Sequence, residues 1–283
     1  MNATRLATTW RDAPTQFANV DGLPFAYREL GPVGGVPVVF LHHFTAVLDD
    51  WDPRVIDGVA QGHHVITFDN RGVGASGGSV PSDIAAMGAD AVSFIRALGY
   101  EKVDVIGFSL GGAVAQMVAL QAPDLVRKIV LTGTGPRGGG GIDKMSRIVG
   151  WAYLKAFLAR KDPRHFLFFP RTTEGKRAAN DYFARLDERT ADRDQPISLQ
   201  AGIAQLRAIV RGGKAQPDDL SVITQPAFVA NGDHDLMVAS EHSVDLARRL
   251  PDAQVTIYPD SGHGGIFQYH REFVPAVVEF LDA

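Results

Sequence analysis

The stretch of sequence that decides the fold is VDVIGFSLGG, residues 103–112. Its first part is almost entirely apolar and β-branched, which predicts a buried strand from Val103 to Phe108. A helical pattern from Leu110 to Leu120 follows after a single residue, Ser109. A serine on so sharp a strand-to-helix turn has a strained backbone, which lifts its hydroxyl above the sheet edge, and flanking glycines relieve the crowding. Ser109 is therefore a candidate nucleophile.

Short apolar runs alternate with helical patterns on both sides of this turn. The clearest further strands are expected at residues 36–41, 65–68, 129–131, 227–230 and 255–258, and a helix at residues 84–98. Such alternation predicts an α/β fold with a mostly parallel sheet wrapped by helices. Near the start, Asp21-Gly22 lies between two extended runs and predicts an antiparallel hairpin over residues 16–30.

The alternation stops after Thr132, where a run of glycines at residues 138–141 has the composition of a flexible hinge. The pattern is then helical until about Ala215, and strand signals resume near Pro226. We therefore expect a core made of residues 1–135 and 216–283, with a helical cap formed by residues 136–215.

Composition excludes several classes of function. The 283 residues are 45% hydrophobic and 21% charged, as in an ordinary globular protein. The chain has no cysteine, which excludes disulfides, thiolate catalysis and cysteine-ligated metals. A net charge of -4 carries no nucleic-acid signature. Residues 1–15 lack the apolar core of a signal peptide and no long apolar run follows, so we expect a cytoplasmic protein without a membrane or nucleic-acid partner. The oligomeric state is not indicated.

A serine hydroxyl needs a base to accept its proton. His263 lies in a glycine-flanked loop after the predicted strand at residues 255–258, whereas His242 and His270 lie in predicted helices. A carboxylate should orient the imidazole, and both Asp233 and Asp235 follow the strand that ends near Ala230. The residues alone leave these two aspartates open.

The chain resembles the α/β-hydrolase superfamily over nearly its whole length. It is most similar to the capped esterase, lactonase and cofactor-free haloperoxidase-like group. The resemblance rests on the order of five segments, residues 41–45, 68–76, 107–112, 232–235 and 261–264. It implies Asp235 as the catalytic acid, with Asp233 as the alternative. It also implies oxyanion donors at the backbone N–H groups of Leu110 and Phe44, and no cofactor.

The sequence departs from the family pattern at the predicted oxyanion loop. The family usually has His-Gly there, whereas this chain has His42-His43. A glycine at that place serves a special backbone angle or a close approach, so the exact donor is an open question and His43 becomes a candidate pocket residue. Trp151 is a second candidate, from an aromatic cluster that either lines a pocket above Ser109 or attaches the cap to the core: Trp151, Tyr153, Phe157, Phe166, Phe168 and Phe169.

Two motifs resemble a dinucleotide site and a metal site, but neither is expected to bind such a group. Residues 72–77 match the Gly-x-Gly-x-x-Gly pattern of dinucleotide sites, but Gly78, Pro81 and Ser82 follow, so no helix is expected to open there. The pairs His42-His43 and His63-His64 suggest a metal, but adjacent side chains on a strand point to opposite faces.

The leading hypothesis is a serine hydrolase that cleaves a small-molecule ester or lactone through an acyl-enzyme. Use of hydrogen peroxide in place of water, or cleavage of a carbon–carbon bond, remains open with the same three residues. Epoxide hydrolases and haloalkane dehalogenases use an aspartate nucleophile, which Ser109 argues against. A ligand-binding protein on a hydrolase fold is the alternative from another class.

Overall fold

The computed structural model describes Ala7 and residues 9–283, and its strands form one sheet with the order β1-β2-β4-β3-β5-β6-β7-β8. Residues 1–6 and 8, on which the signal-peptide expectation partly rests, lie outside the described residues. The first two pairings, β1 with β2 and β2 with β4, are antiparallel, and all others are parallel. The strands are β1 (Gln16–Val20), β2 (Leu23–Leu30), β3 (Val38–Leu41), β4 (Val65–Phe68), β5 (Val103–Phe108), β6 (Val126–Thr132), β7 (Ala227–Gly232) and β8 (Ala253–Tyr258).

The predicted hairpin at the edge of the sheet is confirmed. Asp21 and Gly22 both have positive φ, 51° and 85°, and Val20 pairs with Leu23 across the turn. Two consecutive left-handed residues give the turn the twist of the flanking strands, which is why Asp-Gly is favoured there.

Helices connect the parallel strands. They are α1 (Pro53–Ala60), α2 (Ile84–Ala97), α3 (Leu110–Gln121), α4 (Met145–Ala159), α5 (Arg164–Leu167), α6 (Thr173–Leu186), α7 (Leu199–Lys214), α8 (Ser240–Arg249), α9 (Gly265–Gln268) and α10 (His270–Asp282). Helix α1 packs against α10, and α2 packs against α3. Within the described part of the chain, no helix combines the length and apolarity that crossing a membrane requires.

The chain leaves the sheet after β6 and returns at β7. All of residues 133–226 are described, and they contain four α-helices, α4 to α7, but no strand. Strands β6 and β7 are nevertheless adjacent and parallel, so the helical insertion does not interrupt the sheet. Ion pairs attach the insertion to the core: Arg185 binds the fully buried Asp52 at 2.6 Å, and Arg164 binds Asp50.

The order in which the chain adds parallel strands to the sheet reverses between β3 and β5. From β3 the chain passes through α1 to β4 on one side, whereas from β5 it passes through α3 to β6 on the other. Right-handed crossovers therefore place α1 and α3 on opposite faces. Ligands of open α/β sheets bind outside the carboxyl ends of the strands at such a point. The loop of residues 42–45 after β3 and Ser109 after β5 both lie there.

Candidate active site

Ser109 is the turning point between β5 and α3. Its backbone has φ 56° and ψ −115°, a combination rarely adopted by a residue with a side chain. The turn is held by the Ser109 N–H, which donates to the Thr132 carbonyl at 2.8 Å, and by the Gly112 N–H, which donates to the Ser109 carbonyl at 2.9 Å. The chain therefore maintains backbone strain at the residue that the sequence singled out.

Glycines make this turn possible by letting backbones approach closely. A Cβ on Gly111 would collide with the carbonyl oxygen of Leu41 at the end of β3. A Cβ on Gly112 would lie 2.6 Å from the Thr134 side chain. The start of α3 is thus pressed against the loops that follow β3 and β6.

His263 and Asp235 form a buried pair. The Nδ1–H of His263 donates to Oδ2 of Asp235 at 2.7 Å, and both side chains are fully inaccessible. The other carboxylate oxygen accepts from the N–H groups of Met237 and Val238, at 2.7 and 3.0 Å. Three donors thus compensate one buried charge, and Nε2 of His263 is left as the acceptor.

Asp233, the alternative acid, has other partners. Its carboxylate accepts from His234 Nδ1 at 2.6 Å and from the Ser261 N–H at 3.2 Å. Burial opposes ionisation of this carboxyl, but these hydrogen bonds outweigh it and lower the pKa of Asp233. The carboxylate that contacts His263 is that of Asp235.

Ser109 and His263 line one small cavity of about 20 Å³, together with His43, Phe44 and Phe168 among others. The Nε2 atom of His263 is buried and has no hydrogen-bond partner within the described residues. Catalytic hydrogen bonds are often long in unliganded enzymes and tighten when substrate binds. The cavity therefore brings together a strained serine and the free acceptor of a carboxylate-oriented imidazole.

The backbone N–H groups of Phe44 and Leu110 donate to no backbone carbonyl in the described part of the chain. Phe44 lies in a loop whose strained residue is Thr45, with φ 63°. The Thr45 N–H donates to Gln205 of the cap at 2.8 Å, which helps hold the loop in place. His43 is not among the residues with positive φ, so replacing glycine by histidine there requires no left-handed backbone.

His43 projects into the small cavity beside Ser109. Its ring packs edge-to-face against Phe108 and Phe168, with centroids 5.3 and 5.1 Å away. Its Nδ1–H donates to the Phe44 carbonyl at 2.8 Å. Burial is the main cause that lowers the pKa of His43 to about 4, so the ring is neutral at pH 7.

The structure does not place Trp151 in the pocket. Its side chain is 56% exposed, and it lines neither cavity that contains Ser109. The buried face of α4 carries Met145, Val149, Ala152 and Ala156, and Trp151 lies outside it. The cap aromatics that do line the small cavity are Tyr153 and Phe168.

A larger cavity, about 90 Å³, extends from Ser109 along α3 and beneath the cap. Its wall is mostly apolar and comes from α3, the loop after β6, α4, α7 and the loop after β7. The apolar residues include Ala113, Met117, Ile142, Met145, Ile209 and Val238, and the charged residues Asp83, Arg137 and Arg211 also line it. Sequence reasoning did not find these residues, because each belongs to an apolar pattern that also describes an ordinary core.

Phe168 covers the two imidazoles. The Gly264 N–H donates to the Phe168 carbonyl at 2.8 Å, and a Cβ on Gly262 would lie only 2.7 Å from that carbonyl oxygen. The Phe168 ring lies 5.6 Å from His263 and 5.1 Å from His43, between centroids. The glycines on either side of His263 thus let the backbone of the cap at Phe168 approach this loop closely.

The two cofactor-like motifs have structural roles. No helix opens at residues 72–77, since α2 begins only at Ile84. Asp69 before this turn accepts from the Leu48 N–H at 3.0 Å, and Arg71 pairs with Asp90. Among residues 7 and 9–283, no cluster of three or more potential ligands is arranged to hold a metal ion.

The sheet order, the serine turn after β5 and the helical insertion after β6 together define the class of α/β hydrolases. The match to a known family agrees, because residues 36–268 fit the family described as alpha/beta hydrolase fold. The chain belongs to this family.

Individual relatives cover the chain to different extents. An alpha/beta hydrolase fold protein from Chitinophaga pinensis is 39% identical, with a TM-score of 0.93 over 97% of this chain and 99% of that one. A hydrolase from Pseudomonas aeruginosa is 25% identical, with a TM-score of 0.75 over 95% and 98% of the two chains. A non-heme chloroperoxidase of Streptomyces lividans is 37% identical over 118 residues, 41% of this chain and 43% of its own length.

Proposed function

We propose that the protein is a serine hydrolase that cleaves a carboxylic ester or a lactone through an acyl-enzyme intermediate. The observation that carries this proposal is the small cavity shared by the strained Ser109 and the buried His263–Asp235 pair. A nucleophile, a base and an orienting carboxylate arranged in this order are what acyl transfer requires. Membership of the alpha/beta hydrolase family supports it.

The proposed reaction begins when Nε2 of His263 takes the proton of the Ser109 hydroxyl and Oγ attacks the substrate carbonyl carbon. The N–H groups of Phe44 and Leu110 stabilise the oxyanion, each contributing about 3 kcal/mol if they resemble other such donors. His263 then protonates the leaving alkoxide, and water releases the acid from Ser109. Asp235 remains ionised and stabilises the imidazolium.

The cavities favour a compact, mostly apolar substrate. The 90 Å³ cavity beside Ser109 is mostly apolar and suits a short hydrocarbon group. Arg164 lines the small cavity, but its guanidinium is engaged by Asp162 at 2.9 Å and by Asp50. The charge of Arg164 is therefore already compensated, so Arg164 offers no free site for an anionic group in the small cavity.

Labelling with a fluorophosphonate probe tests the proposal. Wild-type protein should be modified at Ser109, whereas Ser109→Ala and His263→Ala should remain unlabelled while folding normally. A series of p-nitrophenyl esters and lactones of graded size should then show a preference for short acyl groups. A folded wild-type protein that does not react with the probe would instead indicate a ligand-binding protein.

A second candidate function is perhydrolysis, in which hydrogen peroxide replaces water as the acceptor. The similarity to the S. lividans chloroperoxidase over 118 residues favours it. The same Ser109 acyl-enzyme would transfer its acyl group to peroxide and release a peracid. Peracid formation from an acetate ester and peroxide, lost in Ser109→Ala, is the corresponding measurement.

A further inference from the structure

Two unpaired imidazole nitrogens belong to residues that line the same small cavity. Nε2 of His263 and Nε2 of His43 are both buried, and neither has a hydrogen-bond partner in the part of the chain that the structure describes. Buried polar atoms are rarely left unpaired, and each such atom calls for an explanation. The proposed mechanism uses the first nitrogen and leaves the second without a role.

The hydrogen-bonding capacity of His43 is determined by its surroundings. A carbonyl oxygen can only accept, so the 2.8 Å contact with Phe44 places the proton on Nδ1. Because burial keeps the ring neutral, Nε2 presents a lone pair. His43 therefore offers the cavity an acceptor and no donor.

The size of the cavity limits what can bind there. Its volume of about 20 Å³ holds one water molecule. Two other polar side chains on its wall are engaged: the Thr45 hydroxyl donates to the Phe44 carbonyl at 2.7 Å, and Arg164 is paired with Asp50 and Asp162. The hydroxyl-bearing side chains of Ser109 and Tyr153 also line it. A molecule with two O–H donors suits a cavity lined by two histidines that each have a free acceptor.

We propose that His43 positions the hydrolytic water by accepting one of its O–H groups while the other donates to His263. The inference rests on the proposed acyl-enzyme. The water oxygen bonds to the acyl carbon as its proton passes to Nε2 of His263. The bond from that carbon to Oγ of Ser109 then breaks, His263 returns the proton to Oγ, and the carboxylic acid leaves. His43 remains neutral and holds the second O–H throughout.

This arrangement discriminates between acceptors. Methanol has one O–H, which must donate to His263, so the methyl group of methanol would face the His43 lone pair. Removing that lone pair should slow hydrolysis and leave methanolysis unaffected or faster. The ratio of the two products is measured within one acyl-enzyme population and so does not depend on how much of a variant folds.

The experiment uses p-nitrophenyl acetate with wild type and three variants, in buffer and in buffer with methanol. His43→Phe should shift partitioning from acetic acid towards methyl acetate by about tenfold, the size expected for one buried hydrogen bond. His43→Gln, which retains an acceptor, should recover part of the shift. His165→Phe is the matched control, because His165 stacks on Phe183 and does not line the cavity, and its ratio should equal that of wild type.

Two results would overturn the inference, and they are distinguishable. If mass spectrometry shows acetyl-Ser109 in wild type but His43→Phe partitions as wild type does, only the role of His43 is wrong. If wild type never becomes acetylated at Ser109, the proposed function fails and the inference fails with it.

Discussion

Replacement of Asp235 by asparagine exchanges one carboxylate oxygen for an NH₂ group at the centre of the candidate site. Oδ1 of Asp235 accepts from two backbone N–H groups, those of Met237 and Val238. Only the carbonyl oxygen of asparagine can take that place, so its NH₂ group must face His263. An amide donor there requires Nδ1 of His263 to be the acceptor, which moves the ring proton to Nε2 and leaves no lone pair for Ser109.

The expected magnitude follows from this tautomer change. The equivalent substitution in an established triad lowers kcat by about ten-thousand-fold, or about 5 kcal/mol of transition-state stabilisation. The asparagine retains the two backbone hydrogen bonds and a similar volume, so we expect a folded protein with an intact cavity.

The assay is kcat with p-nitrophenyl acetate, accompanied by the rate of fluorophosphonate labelling. Asp233→Asn is the matched control, because its carboxylate contacts His234 and Ser261 rather than His263, and we expect its activity to stay within a few-fold of wild type. Activity of Asp235→Asn within tenfold of wild type, or an equal loss in Asp233→Asn, would refute the assigned roles.

Two predictions concern stability. Gly111→Ala should lower the free energy of unfolding by about 2 kcal/mol or more, because the new methyl group collides with the Leu41 carbonyl; an unchanged urea midpoint would contradict the close approach. His43 has a folded pKa of about 4 against 6.5 for the free side chain, so between these values the unfolded chain binds the extra proton and stability falls as pH falls. The slope is at most about 1.4 kcal/mol per pH unit. Urea titrations at pH 7 and pH 5 should show a smaller loss for His43→Phe than for wild type, and equal losses would show that His43 is protonated when folded.

Much of the fold was predictable because its signals are local. Apolar runs predicted the strands, and Asp21-Gly22 predicted the turn of the hairpin, since both depend on neighbouring residues alone. The strand at residues 129–131 was placed correctly but too short, because β6 begins at Val126 and includes Arg127 and Lys128. Arg127 pairs with Asp104 and Lys128 donates to the Phe280 carbonyl, contacts with distant residues that periodicity does not reveal.

The sequence by itself determined the class of fold and singled out Ser109 and His263, because a glycine-flanked serine between strand and helix and a glycine-flanked histidine near the end are short-range patterns. Only the tertiary structure decided which aspartate meets His263, since Asp233 and Asp235 share one loop and differ only in their contacts with distant segments. It also decided that His43 lines the cavity while Trp151 points outward. The positions of His43 and Trp151 depend on how the cap packs against the core. That packing brings together residues about a hundred positions apart, such as His43, Phe168 and His263.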